Sequence, residues 1–465
     1  MIISKVFDIA TNSLETYQQA LSITSNNISN ADNPDYSRQV VQFGTTGSDS
    51  FGGSGVKIAD VQRIRDSMID TQVRNYQSSS SYSNEQSGIL SQIESVVAEP
   101  SNSGLSSYIA DFFNSWSSLA ANPNSTSMRS TVIDKAQSLS DSLKSTFDSF
   151  SDISTSLKQQ ADTDVSTINQ DLAQINSYNQ KIYQAFSSGA ETNELQDERD
   201  GIINNLSKMV NVSVQSGIQG TANVNIGGIF GADTSTYNQF DEKIINGQLR
   251  LVSKNDPNSS VIANSGEFAA INDLYSNKIP AYTSSYQKLA QTLVDKVNSV
   301  HMQGSTLVQG ASSQTNIPFF GELDPDGSII DAFAYGKINI NPAILNNTNN
   351  IAASDTPNND GNGNIATQIA NLADTPCTEL GDQTIGDSYS TLISQVGMDK
   401  TSADNDVSST GAILTQLQTQ QKSISGVSID EELTNVIKYQ QSYAAAAKLI
   451  STAEAMLQTL IQSVV

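Results

Sequence analysis

The sequence predicts an α+β fold that is mostly α: a long-helix bundle with coiled-coil helices at its two termini and a small inserted β-rich domain. Three observations carry this expectation. Apolar residues recur at alternating steps of three and four near both ends of the chain, the heptad seam of a helix made to pack on another helix. The same period runs without a break from about Met128 to Ser187, much longer than an ordinary globular helix. Between residues 210 and 265 the period changes to two, as in half-buried strands.

Composition narrows the function classes. A chain of 465 residues has room for roughly two to four domains. With 48 acidic against 24 basic residues the net charge is -24, so nucleic acid is not an expected partner, because phosphate binding needs clustered Lys and Arg. Charged residues make up only 15% of the chain, below the usual quarter or so, and Ser, Thr, Asn and Gln fill the difference. The single cysteine, Cys377, excludes an intrachain disulfide framework or a Cys-based metal site. Asp8 and Glu15 interrupt the N-terminal apolar residues, so no Sec-type leader is expected. No apolar run approaches the roughly 18 residues of a membrane span, and no membrane insertion is expected.

Taken in order, the N-terminal seam is Ile3, Phe7, Ala10, Leu14, Tyr17, Leu21, Thr24 and Ile28. The helix stops in "NNISNADNP": Asn26, Asn27 and Asn30 carry short amides that compete for backbone groups, and Pro34 disfavours helical geometry at Asn33. Residues 85 to 98 and 104 to 121 read as helices, followed by the long helix with its stripe from Val132 through Leu172 to Phe186. In the next helix, "NELQDERDGIINNLSKMVNV", Asp197, Arg199 and Asp200 read as a solvated face, with an ion pair and a cap as the alternative.

Alternating Val210, Val212, Val214, Val224 and Ile226 open the β-rich insertion, and "NGQLRL" is an Asn-Gly hairpin signal. Helices are expected near 277 to 303 and 385 to 425, with short strands hidden in the Asn-, Asp- and Gly-rich stretch 304 to 363. The C-terminal seam runs through Ile429, Leu433, Val436, Gln440, Tyr443, Ala447, Ile450, Glu454, Leu457, Ile461 and Val464, with Gln440 and Glu454 as polar interruptions that fix register or lie at its edge. Asp430, Glu431 and Glu432 occupy its first turn, where the helix dipole favours negative charge, and Ser428 is placed to cap it. The two terminal helices most simply pair with each other. Periodicity leaves open whether they dock on the body of a monomer or order only when neighbouring subunits complete the core.

No catalytic, cofactor or metal site is expected. His301, the only histidine, ends a helical run where it would interact with the helix dipole. No G-x-S-x-G elbow accompanies it, and zinc would need more Cys or His. "ELDPDGSIID" has Glu322, Asp324, Asp326 and Gly327 at calcium-loop spacing, but Phe333 takes the place of the bidentate Glu, so it reads as an acidic turn. "FGGSG" at 51 to 55 lacks the Lys of a phosphate loop and reads as a connector.

The stretch "SNNISNADNPDYSRQ" resembles the N-terminal signature of bacterial flagellar axial proteins, the rod, hook and hook-associated proteins, at Ser25, Asn26, Asn27, Ile28, Asn30, Tyr36 and Arg38. It departs at Asp35, where that family usually has Gly. "SGVSIDEE" and "YQQSY" near the C-terminus, the "L-x-D-x-R-D" run and the α-rich middle resemble the hook-associated protein 1 family, the proteins of the hook-to-filament junction.

The resemblance implies a structural, non-enzymatic component of the flagellum, required for filament assembly. It implies self-association in a ring, contacts with the hook protein and the next hook-associated junction protein, and a cytoplasmic export chaperone on the C-terminal region. It also implies type III export to the cell exterior without a cleaved signal peptide. Residues 1–60 with 427–465 would form an inner-tube domain, 61–209 with 273–426 an α-rich central domain, and 210–272 the β-rich outer insertion. Another rod or hook protein, or an adhesin or hydrolase carried on a flagellar scaffold, is the alternative.

Overall fold

The computed structural model describes residues 2–46, 48–49, 52–53, 55–97, 104–307, 313–334 and 336–464. Phe51 and Ser54 of the glycine connector, and the side chain of Val464, lie outside the described residues. α1 (Ile2–Ser29) leads into β1 (Gln39–Thr45), the short pair β2 (Ser48–Asp49) and β3 (Gly52–Gly53), and β4 (Val56–Arg63). β1 and β4 form an antiparallel ribbon, Val41 opposite Val61, with a bulge between Gln42 and Phe43. Four helices follow: α2 (Ser67–Val97), α3 (Leu105–Ala121), α4 (Thr126–Ser187) and α5 (Asn193–Met209).

The expected long helix is therefore present as α4, 62 residues and about 93 Å at 1.5 Å per residue. Ser125 caps it by accepting a hydrogen bond from the Met128 N–H at 3.3 Å. Its stripe is buried from Val132 to Ile182 apart from the half-buried Phe147 and Ile153, while Phe186 at its end is half exposed.

β5 (Val212–Ser216), β6 (Ala222–Ile226) and β7 (Ile229–Ala232) form a three-stranded antiparallel sheet, and β8 (Phe240–Ile245) and β9 (Gln248–Ser253) a hairpin. Asn246 (φ 54°) and Gly247 (φ 79°) both take left-handed geometry, the type I′ turn that the Asn-Gly pair demands. Val224, Ile226, Phe240, Leu249 and Leu251 join the same buried cluster as the helices.

α6 (Glu267–Asp273) passes through a π turn at Leu274–Lys278 into α7 (Ile279–His301). Pro280 has no N–H for Ser276 and its ring would press on that carbonyl, so the helix widens immediately before it. The expected short strands appear as β10 (Glu322–Leu323), β11 (Ile329–Ile330), β12 (Phe333–Ala334) and β13 (Lys337–Ile338). α8 (Pro342–Asn346), α9 (Asn364–Asn371), α10 (Ile385–Ser425) and α11 (Ile429–Val464) complete the chain.

α2 and α10 run antiparallel, since Asp70 meets Gln421, Ser87 meets Asp404 and Val97 meets Tyr389. The aromatic centre of the body is Trp116, Phe112, Phe319 and Phe320, with Phe319 and Phe320 edge to face at 4.8 Å. These rings anchor the aperiodic stretch 304 to 363, as does buried Arg129, whose guanidinium donates to the carbonyls of Pro123 and Ile351.

His301 does not act as a cation at a helix end. It is fully buried, with Nδ1 2.7 Å from the Ile317 carbonyl and Nε2 accepting the Ala352 N–H at 2.8 Å. Those partners require a neutral ring protonated on Nδ1. Burial pushes its pKa down to about 4.

Candidate assembly site at the joint of the terminal helices and the body

α1 ends by capping itself. The Asn30 amide donates to the Asn26 carbonyl at 3.0 Å and to its side-chain oxygen at 2.9 Å, and the Asn33 side chain accepts the Asp35 N–H at 3.2 Å. Asn27, 1% exposed, is the hub. Its Oδ1 accepts the Gln39 N–H at 3.0 Å and the Tyr36 hydroxyl at 2.8 Å; its Nδ2 donates to the Gln39 carbonyl at 2.9 Å and to Glu432 at 3.2 Å. One amide thus stands in for a neighbouring strand, holding the first residue of β1 against α1 and α11. Burial raises the Tyr36 hydroxyl pKa well above its ordinary range, reinforced by Asp197, Glu432 and Glu194, so Tyr36 stays a donor.

The same device recurs where other helices meet strands or extended segments. Asn169 exchanges both bonds with Phe240, Asn179 with Ala222 and Asn298 with Phe320, all at 2.7–2.9 Å. Part of the polar, uncharged composition is therefore spent on backbone mimicry inside the fold.

Arg38 reaches Glu431 at 2.6 Å and Glu432 at 2.8 Å, so the acidic first turn of α11 serves as a docking point for the joint as well as a favourable end charge. Its own N–H donates to the Ser425 carbonyl at 2.9 Å. Ser37 donates its N–H and hydroxyl to Asp197. Asp197 and Asp200 also receive Arg63, at 2.6 and 3.1 Å, and Asp200 pairs with Arg65 at 2.5 Å and Arg199 at 2.7 Å. Arg65 continues to Asp70 at 2.9 Å.

The expectation of a solvated face is corrected here: Asp197 and Arg199 are each 5% exposed, and three arginines face three aspartates in a closed cluster. Burial alone would raise the Asp200 pKa, but Arg199, Arg65 and Arg63 outweigh it and hold the carboxyl below its usual range. Gly201 lets the joint settle on α5, since a Cβ there would stand 3.2 Å from the Asp35 carboxyl.

α1 and α11 pair with each other, antiparallel, as Asn27 meets Glu432 and Tyr17 stacks on Tyr439 at 6.4 Å. They pack on the β1–β4 ribbon through Ala20, Val41 and Tyr439, with Tyr17, Leu21, Ile23 and Ile58 around them. The α1 seam supplies part of the paired face, through Ala10, Tyr17, Leu21 and Thr24, whereas the buried row of α11 lies beside its seam. α1 buries Ala10, Thr16, Ala20, Thr24 and Asn27, and α11 buries Glu432, Tyr439, Ala446 and Ala453. Small residues allow the helices to approach closely. Ile3, Phe7, Leu14, Tyr17, Leu21, Ile28, Val436 and Ile450 are half buried, and Leu433, Tyr443, Leu457 and Ile461 are 49%, 38%, 38% and 59% exposed. Ser25 and Asn26 face solvent.

Among the described residues no group of His, Cys, Asp and Glu side chains is placed to hold a metal ion, and no helix is long and apolar enough to cross a membrane. Asp326 turns onto Ser328 of its own hairpin. Sequence reasoning missed Ser37, Arg63, Arg65 and Asp70; the β-branched Val56, Ile58 and Val61 before Arg63 were the available signal for β4.

Comparison with known proteins agrees with this architecture. Residues 90–320 match the family model for the flagellar hook-associated protein FlgK helical domain, and residues 420–463 that for the flagellar basal body rod FlgEFG protein C-terminal region. The flagellar hook-associated protein 1 of Bacillus subtilis (strain 168) is 30% identical over 507 aligned positions, covering 98% of this chain and 97% of the relative. That of Salmonella typhimurium is 26% identical over 565, covering 98% and 99%. The flagellar hook junction protein FlgK from Burkholderia pseudomallei has a similar fold, with a TM-score of 0.65 at 14% identity over 76% of this chain and 100% of that one. With an exposed terminal helix pair, a helical body and a full-length relative at this identity, the chain belongs to the flagellar hook-associated protein 1 family.

Proposed function

We propose that this chain is a structural axial component of the bacterial flagellum that forms the junction between hook and filament and is needed for filament assembly. The carrying observation is the length of α11, along which Ile429, Leu433, Ile437, Tyr443, Leu449, Met456 and Ile461 are exposed. Apolar side chains left exposed along a helix of that length are surface for a partner to bury, and identical neighbours in a ring supply it.

On this reading Ile3, Phe7, Leu14, Tyr17 and Leu21 of α1, with Leu433, Val436, Tyr443, Ile450, Leu457 and Ile461 of α11, pack between subunits. Ser25 to Arg38 orients them. Residues 1–60 with 427–465 line the inner tube, 61–209 with 273–426 form the next layer, and 210–272 face outward.

The hook protein and the next hook-associated junction protein are the axial neighbours, and an export chaperone covers the C-terminal stripe before type III secretion to the exterior without a cleaved signal peptide. The chain has no catalytic role in this scheme. The match of residues 420–463 to a rod-protein family model fits the axial class as a whole; the helical body favours the junction over rod or hook.

The test is electron microscopy of isolated hooks stripped of junction proteins, with the purified chain added. A discrete ring at the distal hook end is expected. Absence of binding by folded chain, or binding along the hook's length, would overturn the junction reading.

A further inference from the structure

Among the described residues the terminal helix pair and the body do not share an apolar core. Ala20, Val41 and Tyr439 with their neighbours form one buried cluster, and the large body cluster takes no member from α1, β1, β4 or α11. What crosses the boundary is polar: Ser37 on Asp197, Arg63 on Asp197, Asp200 and Gln196, and Asn193 on the Val61 carbonyl. Both chain crossings lie beside it. Arg65 sits between β4 and α2 on Asp200 and Asp70, and Ser425 at the end of α10 accepts from the Arg38 N–H.

We propose that the Arg63, Arg65 and Arg199 cluster with Asp70, Asp197 and Asp200 is a conformational latch that sets the angle of the terminal helix pair against the body. The inference rests on the assembly reading of the joint and adds how that joint is held. Apolar packing resists a change of angle over its whole contact area. Ion pairs and hydrogen bonds can be exchanged one partner at a time while both flanking cores remain closed. The side chains of the cluster are only 6–16% exposed, so an uncompensated charge there is strongly disfavoured. The latch therefore favours a fully paired arrangement.

The test uses the full chain with Cys377→Ser and spin labels at Ser177→Cys on α4 and Lys448→Cys on α11, both exposed positions. A body pair, Ser177→Cys with Lys254→Cys, is the control. Pulsed dipolar spectroscopy on the unassembled chain should give a narrow distance distribution for both pairs. With Asp197→Asn and Asp200→Asn the α4–α11 distribution should broaden at least twofold and the body pair should not change. Arg63→Gln, which releases both aspartates from one arm, is read in the same way if the double variant does not fold.

An unchanged α4–α11 width in a folded variant overturns the latch. So does equal broadening of both pairs, or loss of the body fold in both variants, because the cluster would then hold the body and not the angle. The measurement needs no hook or ring, so its failure is separate from a failure of the junction reading.

Discussion

Replacing Asn27 by Ala removes an amide that satisfies both polar groups of the Gln39 peptide, the Tyr36 hydroxyl and one oxygen of Glu432. Glu432 keeps Arg38, and the half-buried Tyr36 can turn its hydroxyl toward water. The Gln39 N–H and carbonyl cannot follow, because β1 is held by β4. Each orphaned group costs about 1–3 kcal/mol, offset by about 0.5 kcal/mol of better helix propensity, so the net loss for the two is about 1.5–5.5 kcal/mol. That loss falls on the terminal unit, whose apolar cluster is separate.

Amide hydrogen exchange of β1 and β4 should therefore speed up roughly 10- to 8,000-fold, at tenfold per 1.4 kcal/mol. The unfolding transition of Trp116, the chain's single tryptophan and a member of the body core, should not move. Asn30→Ala, which touches only an exposed helix end, should cost under about 1 kcal/mol. Ribbon exchange within threefold of the parent for Asn27→Ala, or a matching shift of the Trp116 transition, would refute the reasoning.

Further predictions concern the body. Asn298→Asp keeps the acceptor for the Phe320 N–H but sets a carboxylate against the Phe320 carbonyl in a site 1% exposed; urea unfolding read at Trp116 should show a loss of about 3 kcal/mol or more, and a loss under about 1 would show that the mimicry is dispensable. Asp164 is buried beside Glu85 and Glu267, with Gln160 on Glu85 and Lys208 near Glu267, and burial first and then those acids push its pKa up to about 7. A raised carboxyl pKa stabilises the fold most below the ordinary 3.8 and loses that contribution as pH rises through 7, a linkage on the order of 4 kcal/mol. Asp164→Asn should thus be more stable than the parent at pH 8, with the gap closing by pH 4; equal stability at pH 8 would sink the assignment. For His301 the sign is reversed: with a pKa lowered to about 4, stability present above 6.5 drains as pH falls through 4, by on the order of 3 kcal/mol. Following the Trp116 transition of the parent and of His301→Phe between pH 7 and 4 checks this, because the variant should lose that share of the acid slope.

How much could be read beforehand differs by residue. Val132 to Ile182 announced α4, because a period of 3.6 sustained over that length admits no other element. Asn246-Gly247 announced its hairpin, because only such a pair takes two left-handed residues in succession at low cost. Phe319 and Phe320 were hidden in a stretch with no period, and their burial beside Trp116 depends on contacts some two hundred residues away.

The terminal seams show the same division. Their periodicity established that two helices exist and that each has a bulky stripe, but not which way the stripes face. Ala20, Ala446 and Ala453 look inert in a sequence, yet they are buried where the helices meet, while Leu433, Leu457 and Ile461 are turned outward. Asp197, Arg199 and Asp200 likewise look like a wet helix face until β4 lays Arg63 and Arg65 over them. The sequence by itself determined helices, turns and family motif, all set by local spacing and backbone preference. The phase of the helix pair, the closure of the charge cluster and the four-bond role of Asn27 were decided only by tertiary structure, because each depends on which groups distant segments deliver to one place, and on whether water is left there to compete.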